Sequence, residues 1–367
     1  MGGQGRRYIK GAGQVTMSNV YIVGFIGCGN IGDEAILAGT LQSLREASVN
    51  SPIVFSWNPS QTAQEHNTPS LPILAGMRGL SDFASHLHRG DLVLLGGGSL
   101  LQDGQRRVVP FWLFRAIMAK LKGCTVVYHA QGVGPIKTTL ARWLIRVLVP
   151  WTADAYTVRD RASRALLPSV VAAQLVSDPA LLLPPLREDA LSGRVVVALR
   201  NTKHDSQLSE LLRALEMFSA EAAVHYIFLP MHLPDDLAVC RQMADLTGGA
   251  VYEGPHDVQA VRRLLSSAEL VLAMRLHASI LASGVGTPSV GLSYDPKVLS
   301  FYEELNMQEY VLPWNNEFDA DFCGRLLATA YVNRIELRSQ VIKQVQLLGK
   351  RAELSIPIAL AKWRSNH

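Results

Sequence analysis

Short runs of unbroken apolar residues recur through the chain, each closing on glycine or a polar loop, with longer segments of helical spacing between them. Strands buried on both faces of a parallel sheet read as continuous apolar runs rather than alternating ones. In the first half the runs are NVYIVGF (19–25), PIVFSW (52–57), DLVLLGG (91–97), TVVYHAQ (125–131) and AYTVRD (155–160). Between them ILAGTLQSLREA, FWLFRAIMAKLKG and TTLARWLIRVLVPW repeat apolar residues three and four apart. A proline-rich break, LLLPPLREDALSGR (181–194), interrupts the pattern, which restarts with VVVALR (195–200), VHYIFLPM (224–231), AVYEG (250–254), ELVLAMR (269–275) and PSVGLSY (288–294). The expected class is α/β, with two Rossmann-like domains of parallel sheet flanked by helices, facing each other across a cleft where strand C-termini meet. The expected division is an extension at 1–16, an N-terminal domain at 17–185, a C-terminal domain at 190–350 and a last helix at 351–367 packing back on the first domain.

Bulk properties exclude several classes. At 367 residues the chain exceeds the ~100–200 residues of one domain. The formal charge is +4, but Arg6, Arg7 and Lys10 in the first sixteen residues supply three of those charges, leaving no nucleic-acid binder's surplus. That leading segment, MGGQGRRYIKGAGQVT, lacks the apolar core of a secretory signal and reads as a disordered extension. Cys28, Cys124, Cys240 and Cys323 form no C-x-x-C pair, so neither a zinc knuckle nor a disulfide framework is expected, and a cytoplasmic location fits. No apolar stretch reaches the ~18 residues of a membrane span.

Chemistry in such folds gathers on loops after strands. The first, G-C-G-N-I-G-D-E-A (27–35), spells G-x-G-x-x-G through Gly27, Gly29 and Gly32. A dinucleotide site also needs an acid ~20 residues on, at the end of the second strand. Ser56-Trp57-Asn58-Pro59 offers none there, while Asp33 and Glu34 crowd the glycines. Gly29 and Asn30 are therefore read as lining one wall of the cleft, and Asp33 either caps the following helix or meets a ligand. The second loop contributes Gly97, Gly98 and Ser99, and the third Gln131 within H-A-Q-G-V-G-P. The fourth, V-R-D-R, offers Arg159, able to fork onto a phosphate or carboxylate, and Asp160, able to cap a helix or accept a proton. In the second half Arg275 and His277 stand where ELVLAM stops, and Tyr294, Asp295 and Lys297 follow the next run. A neighbouring arginine is expected to bias His277 toward its neutral form. N-T-K-H-D and L-P-M-H-L-P-D-D place His204 with Asp205 and His232 with Asp236 in further loops, read as cleft lining without metal because no tight zinc spacing accompanies them.

G-x-G-N-x-G-D-E-A, G-G-G-S-L-L-Q-D (96–103), Q-G-x-G-P (131–135), the Arg159-Asp160 pair, S-D-P-A (177–180), M-R-L-H (274–277) and Y-D-P-K (294–297) occur together and in order. In this the chain resembles the polysaccharide pyruvyl transferases, and in particular the branch that ketalates cell-wall polymers for S-layer attachment. The resemblance runs from Met17 to about residue 310. It implies a glycosyltransferase-B-like fold, phosphoenolpyruvate as co-substrate, no metal or other cofactor, and a lipid-linked or polymeric sugar acceptor, commonly N-acetylmannosamine. On this footing His277 is expected to act as acid/base, Arg275, Lys297 and Arg159 to hold the anionic donor, and Asp33 or Asp160 to orient sugar hydroxyls. A nucleotide-sugar glycosyltransferase of the same architecture would instead put an acid such as Glu253 or Asp257 on a ribose. FWLFRAIMAKLK (111–122) and LARWLIRVLVPW (140–151) mix aromatic and basic residues; packing on the sheet accounts for them, and a peripheral contact with the inner membrane is the other reading.

Overall fold

The computed structural model describes residues 18–201 and 205–366. The extension at 1–16 and His204 therefore lie outside the described residues.

Two sheets carry the chain, and every strand pairing within each is parallel. The first holds β1 (Val20–Val23), β2 (Ile53–Ser56), β3 (Ser70–Pro72), β4 (Leu92–Gly96), β5 (Thr125–Gln131), β6 (Ala155–Val158) and β7 (Gln174–Leu175), in the order β3-β2-β1-β4-β5-β6-β7. The second holds β8 (Arg194–Ala198), β9 (His225–Phe228), β10 (Ala250–Val251), β11 (Leu270–Ala273), β12 (Ser289–Ser293) and β13 (Val311–Pro313), ordered β10-β9-β8-β11-β12-β13. Each order winds outward from its first strand in both directions, the doubly wound pattern whose switch point opens a crevice at the strand C-termini. The ten apolar runs all become strands. β3, β7 and β13 go unannounced because each lies at a sheet edge, is two or three residues long and is partly exposed, so no continuous apolar run marks it.

Helix Ile31–Glu46 joins the domains. Twelve of its sixteen residues are buried, so it reads as apolar around most of its circumference. Leu37, Leu41 and Leu44 pack under the first sheet, while Ile31, Ala35 and Ile36 enter the core of the second domain. The last helix, Ser355–Ser365, lies on the first domain, burying Ile356, Ala359 and Leu360 with Val20, Ile22 and Val127. Trp363 Nε1 donates to Gly90 O at 2.7 Å, and Ser355 Oγ lies 2.7 Å from His129 Nδ1. None of the described helices is long and apolar enough to cross a membrane.

Leu360 is 4% exposed in that seam, and deleting a buried leucine side chain removes transfer energy and leaves a cavity. Leu360→Ala is expected to lower unfolding free energy by about 2–4 kcal/mol in urea titrations. A change under about 0.5 kcal/mol would show that the last helix contributes little to the first domain.

Candidate active site

The first glycine loop has a different job from the one its letters suggest. Asn30, not Asp33, caps the following helix: its Oδ1 accepts from Gly32 N at 3.0 Å, and its Nδ2 donates to Asp33 Oδ2 at 2.6 Å. Gly27 N donates to Glu34 Oε1 at 2.7 Å, and Glu34 Oε2 lies 2.9 Å from His66 Nε2. The chain's own carboxylate thus occupies a backbone donor that a bound phosphate would otherwise use. Gly29 O accepts from Leu233 N and Ile31 N donates to Met231 O, both at 3.0 Å, tying the loop to the second domain. Gly29, expected on the cleft wall, instead makes an interdomain backbone contact. Gly32 has no room for a side chain, because a Cβ there would overlap the imidazole of His277.

A charged cluster from both domains forms the cleft floor. After β6, Arg159 Nη1 donates to Asp178 Oδ2 at 2.8 Å and its Nη2 to Ser99 Oγ at 3.1 Å, while His277 Nε2 stands 3.5 Å from Asp178 Oδ2 and 3.4 Å from Arg159 Nη1. Lys297 Nζ reaches the same Ser99 Oγ at 3.1 Å and faces Asp295 Oδ2 at 3.5 Å. Burial pushes the Asp178 carboxyl up, but the hydrogen bond with His277 and the Arg159 charge outweigh it and hold the group well below the usual carboxylate range. Burial pushes His277 down, Asp178 pulls it up, and Arg159 and Lys297 push it down again. The net direction is toward neutral imidazole, as expected, but the cations responsible are Arg159 and Lys297 rather than Arg275. Burial likewise lowers Lys297 against the pull of Asp295.

Asp33 lies beside this cluster, and the absent side chain of Gly98 leaves room for its Oδ1. Burial, reinforced by Glu34 and opposed by Arg159, pushes its carboxyl up to about 8. Gln131 does not line the cleft. It is fully buried and donates to Gly98 O at 2.8 Å and Gly132 O at 3.0 Å, so it holds the second glycine loop in place. Gly97 N donates to His129 O at 2.9 Å, which fixes the same loop to β5. Asp160 caps helix Arg161–Ala165 by accepting from Ser163 N at 2.6 Å, and its other oxygen lies 3.6 Å from Arg159 Nε. Its carboxylate is thereby engaged on both sides.

Across the cleft Arg275 pairs through Nε with Asp236 Oδ2 at 3.0 Å and through Nη2 with Asp236 Oδ1. Asp236 is fully buried and accepts this two-pronged bond, which locks the guanidinium. The Arg200 guanidinium sits over the Tyr294 ring, 4.8 Å from its centroid. The cleft measures about 1000 Å³, ample for a sugar with its donor, and His232 lines it with Asn30, Asp33 and Ser99. On its first-domain side Trp57 and Phe111 stack with centroids 5.7 Å apart. Glu253 is exposed and Asp257 caps the helix Val258–Ser266, so neither acid faces the cleft. Among the described residues Glu34, Glu65 and His66 lie close enough to share an ion, but Glu34 is already bonded to Gly27 and His66.

From sequence, Trp57 and Phe111 carry no role in the cleft, Asp178 is only one letter of a motif, and Asp236 reads as cleft lining beside His232 rather than as the buried partner of Arg275. Asp178 stands in S-D-P-A, where a proline-led turn follows a strand end, and only its position in space marks it.

The family model described as polysaccharide pyruvyl transferase matches residues 30–296, from the helix cap Asn30 to Pro296, the first residue of the helix that carries Lys297. The chain belongs to that family. No curated protein matches it in sequence. Among solved structures it is similar to UDP-GlcNAc 2-epimerase from Neisseria meningitidis, at 12% identity over 94% of this chain and 100% of that one, TM-score 0.62. It is also similar to a glycosyltransferase from Rickettsia africae, at 10% identity over 95% and 99% of the two chains, TM-score 0.59. The pneumococcal O-GlcNAc transferase GtfA matches at 10% identity over 95% and 98%, TM-score 0.56. At such identities the likeness is one of fold, and the fold is glycosyltransferase-B-like.

Two measurements check this geometry. Helix propensity alone makes Gly32→Ala stabilising by about 0.5–1 kcal/mol, whereas overlap with His277 makes it destabilising by about 1–3 kcal/mol. Destabilisation in urea, partly relieved when His277→Ala removes the ring but leaves its Cβ, is the expected sign; stabilisation of the single variant would reject the contact. Asp33, raised when folded, stabilises the protein most below the ordinary carboxylate range, and that contribution is lost as pH rises through about 8. Stability of the parent relative to Asp33→Asn should therefore fall between pH 5 and pH 9, and a flat difference would place Asp33 in contact with solvent.

Proposed function

We propose that the protein transfers pyruvate from phosphoenolpyruvate onto two hydroxyls of a sugar as a cyclic ketal. The observation that carries this reading is the convergence of Arg159, His277, Lys297 and Ser99 from two domains on one point of the cleft floor. Phosphoenolpyruvate presents a phosphate and a carboxylate a few bonds apart, and fixed cations with a hydroxyl between them suit such a dianionic ligand. Arg275, locked by Asp236, supplies a further cation on the second-domain wall.

The steps follow from the charges. An anionic donor beside Arg159 and Lys297 offsets the two charges that push His277 toward neutral, so donor binding favours the imidazolium. His277 then gives its proton to the methylene carbon, the double bond becomes a methyl group, and the adjacent carbon becomes an oxocarbenium centre. One sugar hydroxyl attacks that carbon and His277 takes its proton. The second hydroxyl forms the second C–O bond as the bond to phosphate breaks, and its proton leaves with the phosphate. Asp33, held largely protonated by burial, orients the acceptor hydroxyls. The Trp57–Phe111 stack gives an apolar ring face for the sugar, a common use of aromatic side chains in such clefts. An N-acetylmannosamine unit of a cell-wall or exopolysaccharide precursor, on a lipid carrier or polymer, is the acceptor proposed, and the cytoplasm is the compartment where both substrates meet.

A nucleotide-sugar glycosyltransferase needs an acid for the ribose, and neither Glu253 nor Asp257 faces the cleft. Incubation with phosphoenolpyruvate or UDP-sugars separately distinguishes the two readings. Phosphoenolpyruvate is expected to raise the melting temperature and to release phosphate when a diol-bearing sugar is present, with His277→Ala slowing release by ~10²-fold or more. Stabilisation by UDP-sugars alone, or full turnover by the His277 variant, would overturn the assignment.

A further inference from the structure

The cleft and its charges do not account for the outward side of helices Val108–Leu121 and Thr139–Thr152. The two lie against each other on one face of the first sheet and share a core, with Trp112, Leu113 and Ala116 buried from one and Ala141, Ile145 and Val149 from the other. Opposite that buried stripe, helix Thr139–Thr152 carries a second one: Leu140, Trp143, Val147 and Trp151, spaced three and four residues apart and 60, 57, 47 and 49% exposed. Phe114 and Leu121 continue it on the neighbouring helix at 50 and 67%. Single exposed apolar residues are ordinary, but six large ones on one side of one layer mark a contact surface.

Charge names the occupant. Residues 104–153 contain eight arginines and lysines and no aspartate or glutamate, although the whole chain carries only +4. Arg115 is buried and Lys120 pairs with Asp154 at 2.6 Å, while Arg106, Arg107, Lys122, Lys137, Arg142 and Arg146 are exposed. We propose that this side docks on the surface of an anionic lipid bilayer, the tryptophans and aliphatic side chains entering the boundary of headgroups and acyl chains and the arginines holding anionic headgroups. A second copy of the chain meeting this face by two-fold symmetry would set cations against cations. A polyanion would engage the cations but leave the tryptophan stripe in water. Val108, Phe111 and Trp112, at the start of the same helix pair, line the cleft, so the docked surface lies beside its mouth.

Flotation with vesicles reads this surface independently of the reaction. The protein is expected to float with vesicles of phosphatidylglycerol and phosphatidylcholine and to stay behind with phosphatidylcholine alone. Trp143→Ser with Trp151→Ser, and separately Arg142→Glu with Arg146→Glu, should each lower partitioning about tenfold or more at an unchanged melting temperature. Should the tryptophan pair fail to fold, the arginine pair decides alone. No flotation of the parent with anionic vesicles, or flotation of folded variants equal to the parent's, would overturn the proposal. A dimer in sedimentation velocity that the tryptophan pair dissociates would also overturn it, assigning the face to a second copy.

Discussion

The contact between Gly32 and His277 is where the two domains become one site. A helix that begins in the first domain meets a ring from the second so closely that position 32 has no space for a side chain. The backbone bonds from Leu233 N to Gly29 O and from Ile31 N to Met231 O fix the approach, and Ile31, Ala35 and Ile36 anchor it by burial in the second domain's core. Apolar burial of this kind supplies most of the free energy of association, while the hydrogen bonds set register. Everything downstream depends on that register, because His277 meets Asp178 and Arg159 only while the helix holds it there.

Burying so many charges in one place is costly unless each finds a partner. Here the partners are shared in a chain: Lys297 with Asp295 and Ser99, Ser99 with Arg159, Arg159 with Asp178, Asp178 with His277. Within the cluster Arg159 and Lys297 bring cations, Asp178 and Asp295 answer them, and Asp33 escapes the problem by taking up a proton. Burial, Arg159 and Lys297 hold His277 toward its neutral form against the pull of Asp178, so its charge responds to an anion that enters the cleft beside those cations. A group poised in this way suits proton transfer better than one pinned in either form.

The fold was largely legible because strands buried on both faces must be written in unbroken apolar letters, and β5 was bounded to the residue by its run. Edge strands β3, β7 and β13 were not, since half-exposed pairing imposes no such pattern. At the site, motif reading found the residues that present charge, Arg159, Arg275, His277 and Lys297, by their places after strands. The pairing of Asp178 with Arg159, and of Asp236, read only as cleft lining, with Arg275, is not legible there, because a partner is chosen by distance in space: Asp236 is 39 positions from Arg275. Gln131 was misjudged for the same reason, a strand-end polar residue turned inward to brace a loop. Asp33 stands near a helix start as a cap would, yet Asn30 three residues earlier has the extended backbone that a cap requires.

The glycine loop spells a dinucleotide fingerprint, but its backbone donors are turned inward. In dinucleotide-binding domains such a loop offers backbone donors to a pyrophosphate at a helix N-terminus. Here Glu34 takes the Gly27 donor and Asn30 takes that of Gly32, so two of the turn's donors are used within the chain. Recognition of an anion then falls to side chains, and the cations that face the cleft, Arg107, Arg159, Arg200, Arg275 and Lys297, are drawn from both domains. A ligand held by backbone at one helix needs only one domain. A ligand held by cations on both walls needs the domains in register, which is the condition that Gly32, by having no side chain, allows His277 to meet.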